Sequence, residues 1–240
     1  MDPTRRFTAE YREEARLKDG STVHFRLVRP DDKPLLVDGL ARMSPESRFR
    51  RFFSHRDRLS AGELAYLTEL DHEHHFALAA GRQEAGTEIG LGVARFVVLP
   101  EQAGAAEAAI AVVDECQGKG LGRMLFERLV MAAAERDIAV FRFDVLAEND
   151  QMLALVKSLF PHATSHVDDG IMTIDCPIAD VLPIEDRHES ALYRILKLAA
   201  EGAIRIFRST RPNGLSPVLK GADDDLATFI GITDEDGPAP

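Results

Sequence analysis

The sequence predicts an α/β fold: one central mixed sheet of about six or seven strands with helices flanking it. Three observations carry this. Five runs, at 22–30, 75–81, 88–99, 107–113 and 138–146, have strand-like alternation or a β-branched and aromatic content suited to strands. Helix-opening signals start the segments 31–43, 44–53, 60–70 and 120–136. The resulting order is strand, helices, three strands, helix, strand, helix and hairpin, which describes a meander followed by a crossover unit.

The elements follow in chain order. The first twenty residues are rich in charge and read as a flexible segment. TVHFRLVRP (22–30) alternates as a strand and stops at Pro30. DDKPLLVDGLARM (31–43) opens with aspartates and a proline, as helices do. Ser44-Pro45-Glu46 starts a short helix that runs into Phe52 and Phe53. Ser60 and Glu63 have capping-box spacing, so each side chain would satisfy a free amide at the start of a helix reaching about Leu70. Gly86-Thr87 and the stretch 100–105 separate the next three strands. Leu121, Leu125, Leu129 and Ala132 then form the apolar stripe of a helix laid on a sheet. IAVFRFDVL (138–146) is apolar at both parities and reads as a strand buried on both faces. Asn149 precedes a helix ending near Leu159, and Asp168-Asp169-Gly170 signals a hairpin. Beyond Pro183, residues 187–203 form an amphipathic pattern, and the end of the chain is rich in Pro, Gly and Asp. Four parts result: a flexible segment (1–20), a folded domain (21–180), a helical extension (181–220) and an acidic disordered tail (221–240).

With 240 residues and 45% hydrophobic content, the chain can bury a substantial core. A net charge of −11 opposes general affinity for nucleic acid or for an anionic membrane. Two cysteines, Cys116 and Cys176, suit a reducing compartment better than a disulfide scaffold. No apolar run has the length of a membrane span, and no signal-peptide core follows the first arginines, so a cytoplasmic location is expected.

The stretch DECQGKGLGRMLFERL (114–129) carries the chemistry. Glycines at 118, 120 and 122 stand between a strand end and a helix start. The spacing fits neither the Walker loop nor the dinucleotide fingerprint. Small residues there let a polyanion approach the backbone, and the helix dipole adds partial positive charge. The residues therefore predict a pyrophosphate or similar anion, with Lys119 or Arg123 at its edge.

Gln117-Gly118-Lys119-Gly120-Leu121-Gly122 resembles the Q/R-x-x-G-x-G/A signature of the GNAT superfamily of acyl-CoA N-acetyltransferases. EAAIAVVDEC before it resembles the family's central strand, and FRFDVL with Ala147-Glu148-Asn149 continues the pattern. RLVRPDD and MSPESRFRRFFS are similar to the GNAT domain of bacterial protein-lysine acetyltransferases, so the likeness covers about residues 20–178. It implies a GNAT-like fold and acetyl-CoA as cosubstrate, with no metal. It implies that the backbone of Gln117, Gly118, Lys119, Gly120, Leu121, Gly122 and Arg123 holds the CoA pyrophosphate. Ala111, Val112 and Val113 would lie where two parallel strands splay and the pantetheine arm pairs with exposed backbone. The Val112 amide would point at the thioester carbonyl. Asn149 would hold the pantetheine, or simply cap the following helix. Glu107 would be the general base that takes the amine proton. The family's usual tyrosine acid is missing from QMLALVKSLF (151–160), and water would protonate the departing thiolate.

The resemblance implies acetyl transfer to a primary amine, foremost a protein lysine. Acetylation of a small amine (a polyamine, amino acid or antibiotic) and a non-catalytic CoA-binding module stay open beside it. A separate regulatory nucleotide-binding domain is not expected within this length. Asp71-His72-Glu73-His74-His75 invites a metal reading, but a polar loop entering a strand accounts for it better. Arg48, Arg50, Arg51, Arg56 and Arg58 alternate with Phe49, Phe52 and Phe53. That pattern fits a helix with its phenylalanines in the core, or a surface for an acidic acceptor, a neighbouring subunit or a phosphate. Cys116 reads as a small semi-buried residue ahead of an oxidisable switch. The helix at 187–203 either closes the domain, covers the acceptor groove or makes a homodimer contact.

Overall fold

The computed structural model describes residues 5–54 and 57–182. In chain order the elements are β1 (Arg12–Arg16), β2 (Thr22–Leu27), α1 (Lys33–Ala41), α2 (Pro45–Phe52), α3 (Ala61–Thr68), β3 (His75–Glu84), β4 (Thr87–Val98), β5 (Ala105–Val112), α4 (Leu121–Ala134), β6 (Val140–Leu146), α5 (Asp150–Leu159), β7 (Thr164–Asp168) and β8 (Ile171–Pro177). The eight described strands form one sheet in the order β1-β2-β3-β4-β5-β6-β8-β7. Every neighbouring pair is antiparallel except β5 and β6, which are parallel.

Local signals set most boundaries. Ser60 and Glu63 form the expected capping box: the Ser60 amide donates to Glu63 Oε2 at 2.6 Å, and the Glu63 amide to Ser60 Oγ at 3.2 Å. Ser44 Oγ accepts from the Ser47 amide, with Pro45 in the first turn of α2. Asp169 and Gly170 both have positive φ, as a two-residue turn joining β7 to β8 requires.

The core lies between the sheet and α4. Leu121, Leu125 and Leu129 are fully buried there. A file of rings crosses the sheet beneath α4: Phe76 stacks on Phe96 at 5.3 Å, Phe96 meets Phe141 at 5.8 Å, and Phe141 meets Phe143 at 6.0 Å.

Four expectations change. The sheet has one strand more than the upper estimate, because β1 is a strand. Residues 5–17 are docked rather than loose: Phe7, Tyr11 and Leu17 are buried, and the Arg6 and Phe7 amides donate to the Glu135 carboxylate at the end of α4. Apolar residues spaced among the charges allow this, and Asp19-Gly20, an overlooked turn signal, connects β1 to β2. β6 is buried on one face only. Phe141, Phe143 and Val145 enter the core, while Arg142 and Asp144 face the other way. Finally, Phe49, Phe52 and Phe53 are half-buried and contribute nothing to the main core. The amphipathic segment 187–203, the tail 221–240 and Arg56 lie outside the described residues.

Candidate active site

β5 is the axis of the site. It pairs with β4 along seven positions, Ala106–Val112 against Gly92–Val98, but with β6 only from Ala105 to Glu107. Beyond Glu107 the two parallel strands part, while β6 stays paired with β8 to Leu146. A wedge opens beside residues 108–112. The Val113 amide donates to Leu91 O of the β4 side at 3.0 Å. Antiparallel strands alternate the direction of their amides, so the Val112 N–H points into the wedge. Ala111 and Val113 line the cleft on the helix α1–α3 face of the sheet.

At the wedge mouth the backbone supplies donors. Gly118 and Gly120 have φ of +71° and +93°, in the left-handed region that glycine enters without strain. Gly120 is the N-cap of α4 and offers no side chain to cap it. Among the described residues, no acceptor takes a hydrogen bond from the amides of Gly118, Lys119, Gly120, Leu121, Gly122 or Arg123. Six successive free donors at a helix N-terminus have the arrangement that suits an anion. Leu121 anchors the turn by full burial.

Two assignments shift within this stretch. The Gln117 amide is engaged with Asp114 O at 3.1 Å. Its side chain braces the turn instead, with Nε2 donating to Val112 O, Asp114 Oδ1 and Ser47 Oγ. The expected edge cations already have carboxylate partners: Lys119 Nζ sits 2.9 Å from Asp19, and Arg123 Nε 2.9 Å from Glu127. Sequence reasoning missed Lys18. Its stem packs 3.5 Å from where a Gly120 Cβ would stand, its amide donates to Lys119 O, and its ammonium has no partner among the described residues. Only the turn signal at Asp19-Gly20 hinted that this segment could fold back.

Asn149 does cap α5: Oδ1 accepts from the Met152 amide at 3.2 Å. The side-chain NH2 has no partner among the described residues, so a second role is compatible with the cap. Asn149→Asp keeps the acceptor and removes the donor, whereas Asn149→Ala removes both. We expect the alanine variant to lose about 1 kcal/mol of stability and the aspartate variant to keep its melting temperature. If the NH2 group holds the pantetheine, both variants weaken acetyl-CoA binding in calorimetry.

Glu107 lies in the third position of β5, not at its start, opposite Arg142 of β6. Burial, then the nearby Asp144 carboxylate, pushes it up to about 7, against the pull of Arg51 and Arg142. Strand alternation puts Glu107 on the same face as Ala109 and Ala111, and the β4 residues opposite these three, Val97, Arg95 and Val93, share that face.

The histidine cluster diverges. Asp71 Oδ1 accepts from the amides of Glu73, His74 and His75, which fixes the loop. The His75 ring packs on Tyr66, whereas His72 meets Phe76 edge-on. No group of three or more metal-ligating side chains occurs among the described residues. Cys116 is buried, and burial raises its thiol above the ordinary value, which opposes an easily oxidised thiolate. No helix among the described residues is long and apolar enough to cross a membrane.

Residues 42–159 match the Acetyltransferase (GNAT) family. The chain is 29% identical over 190 residues to the acetyltransferase Pat of Mycolicibacterium smegmatis, covering 77% of this chain and 56% of that protein. It is 30% identical over 117 residues to an acetyltransferase of Pseudomonas aeruginosa, covering 49% of this chain and 62% of that one. The chain thus spans little more than half the length of these curated relatives. The crystal structure of the GNAT domain of S. lividans PAT superposes with a TM-score of 0.63 at 28% identity, over 71% of this chain and 99% of that one. The parted strands, the uncapped glycine turn and these likenesses agree: residues 42–159 resemble the GNAT family of acetyltransferases in sequence and in fold.

Proposed function

We propose that this protein transfers the acetyl group of acetyl-CoA to a primary amine, foremost a protein lysine, by direct attack within a ternary complex. The observation that carries the proposal is the conjunction at β5. Free amides of 118–123 stand at one end, an inward Val112 N–H lies in the wedge, and Glu107 is on the cleft face.

The free amides bind the CoA pyrophosphate, and the unpaired edge of β5 takes the pantetheine as an added strand would be taken. The amine nitrogen attacks the thioester carbon while the Val112 N–H stabilises the charge growing on the carbonyl oxygen. The carbon–sulfur bond then breaks, CoA leaves as its thiolate, and water protonates the sulfur. The proton lost by the amine goes to the Glu107 carboxylate. A free lysine deprotonated at pH 7 costs roughly 4.6 kcal/mol, so an acceptor for that proton is needed. The lysine preference is supported by the resemblance of RLVRPDD (26–32) and MSPESRFRRFFS (43–54) to protein-lysine acetyltransferases.

Release of CoA thiol in the presence of lysine peptides tests the reaction, and calorimetry tests donor uptake. Uptake without release under any acceptor would leave a binding module; no uptake would remove the whole proposal. Lys18→Ala is expected to weaken acetyl-CoA binding about 5–10-fold, as loss of one charge contact to phosphate does. That deficit should shrink as salt rises.

A further inference from the structure

Arg51 and Arg95 line the same cleft, between α1–α3 and the sheet, and neither guanidinium has a carboxylate partner among the described residues. The cleft encloses about 820 Å³ including its open mouth, and much of its wall is apolar, with Leu36, Met43, Phe52 and Leu67. A third arginine on that wall, Arg26, shows what satisfaction looks like here. It is bidentate to Asp32 at 2.7 Å on both nitrogens and donates to Glu88 at 2.9 Å. Arg95 is only 6% exposed, yet its contacts are neutral: Leu67 O at 3.2 Å and the His75 ring at 3.2 Å. Burial pushes His75 down to about 4, so that ring carries no positive charge at neutral pH. Arg51 is half-buried, lies 5.1 Å from the Phe52 ring, and has no hydrogen bond or ion pair among the described residues. Burial, then the Arg51 charge, depresses Arg95 to about 9.

A buried charge left unpaired is costly, and two of one sign more so. Planar guanidinium forks match a carboxylate through paired N–H donors. Ala111 and Val113 belong to this same cleft wall, so a group seated there lies next to the wedge. Arg51 also acts electrostatically on Glu107. We propose that the cleft binds a carboxylate that the substrate carries close to its reacting amine, with Arg51 and Arg95 as the recognising pair. The proposal rests on the acyl-transfer reading and narrows its acceptor. Polyamines are disfavoured by charge repulsion. The carboxylate belongs either to an acidic side chain beside the target lysine or to the α-carboxylate of a free amino acid.

Probes with norleucine in place of lysine separate recognition from turnover. Calorimetry would compare a capped norleucyl-glutamate amide, its glutamine counterpart and N-acetylnorleucine, with the acetyl-CoA-loaded protein. We expect at least one carboxylate probe to bind 10-fold or more tighter than the neutral one. Which carboxylate probe binds tells side-chain from α-carboxylate recognition. Arg51→Gln should erase the difference, Arg51→Lys should restore part of it, and acetyl-CoA affinity should stay within twofold in both. Equal binding of all three probes, no binding of any, or a preference surviving in Arg51→Gln overturns the proposal. Those outcomes do not depend on acetyl transfer. Conversely, probe discrimination by a protein that releases no thiol with any lysine acceptor would refute the reaction and leave the anion site standing.

Discussion

Glu107→Gln is expected to lower turnover 100-fold or more while leaving acetyl-CoA affinity within twofold, because a general base typically contributes about 10²–10⁴-fold. The variant keeps the shape of the side chain and loses only its ability to take a proton. Wild-type activity should rise with pH through an apparent value near 7, since the base works only when ionised and burial with Asp144 raises Glu107 to about 7. Arg51, Arg142 and Tyr66 also act on this site, and Tyr66 is itself raised by burial, so it stays neutral through the range. The Gln variant should lack the limb near 7.

The same shift has a stability consequence. Between its ordinary 4.5 and about 7, Glu107 holds a proton in the folded protein that the unfolded chain releases. That contribution is present below the ordinary value and lost as pH rises through 7, an effect on the order of 3 kcal/mol at most. A neutral glutamine escapes the loss. Glu107→Gln should therefore melt several degrees above wild type at pH 8.5, and the two should coincide near pH 4. Unchanged turnover, or identical melting at pH 8.5, would remove Glu107 from the role assigned to it.

Replacing Gly118 and Gly120 together by alanine should raise the dissociation constant for acetyl-CoA at least 30-fold. Both have positive φ, at a penalty of roughly 1–2 kcal/mol per alanine. That penalty is a clash of Cβ with the local backbone, not with other parts of the fold. A Cβ on Gly118 meets open space, and one on Gly120 makes ordinary contact with the Lys18 stem. If the turn relaxes to escape the strain, its amides leave the pyrophosphate and affinity falls. If it holds, the cost appears as a lower melting temperature instead. Affinity within threefold of wild type, with no loss of melting temperature, would show that the left-handed turn is not what presents these donors.

The sequence by itself determined whatever is decided within a few residues. Ser60 and Glu63, Ser44 and Pro45, Asp169-Gly170 and the glycines of 117–122 each set a cap, a turn or a donor cluster through backbone geometry that neighbours fix locally. Periodicity likewise put Leu121, Leu125 and Leu129 on the buried side of α4. It misjudged β6, where apolar residues at both parities concealed an Arg142 and Asp144 face turned toward the site. It also read the charged start of the chain as loose, although Phe7, Tyr11 and Leu17 are buried there.

Tertiary structure alone decided where β5 leaves β6, that Lys18 lies against Gly120, and that Arg51 and Arg95 meet in one cleft. Each of these joins segments far apart in the chain. A local pattern states which face of an element is apolar. It carries no register between strands and no list of which distant charges remain without a partner once the helices are packed on the sheet.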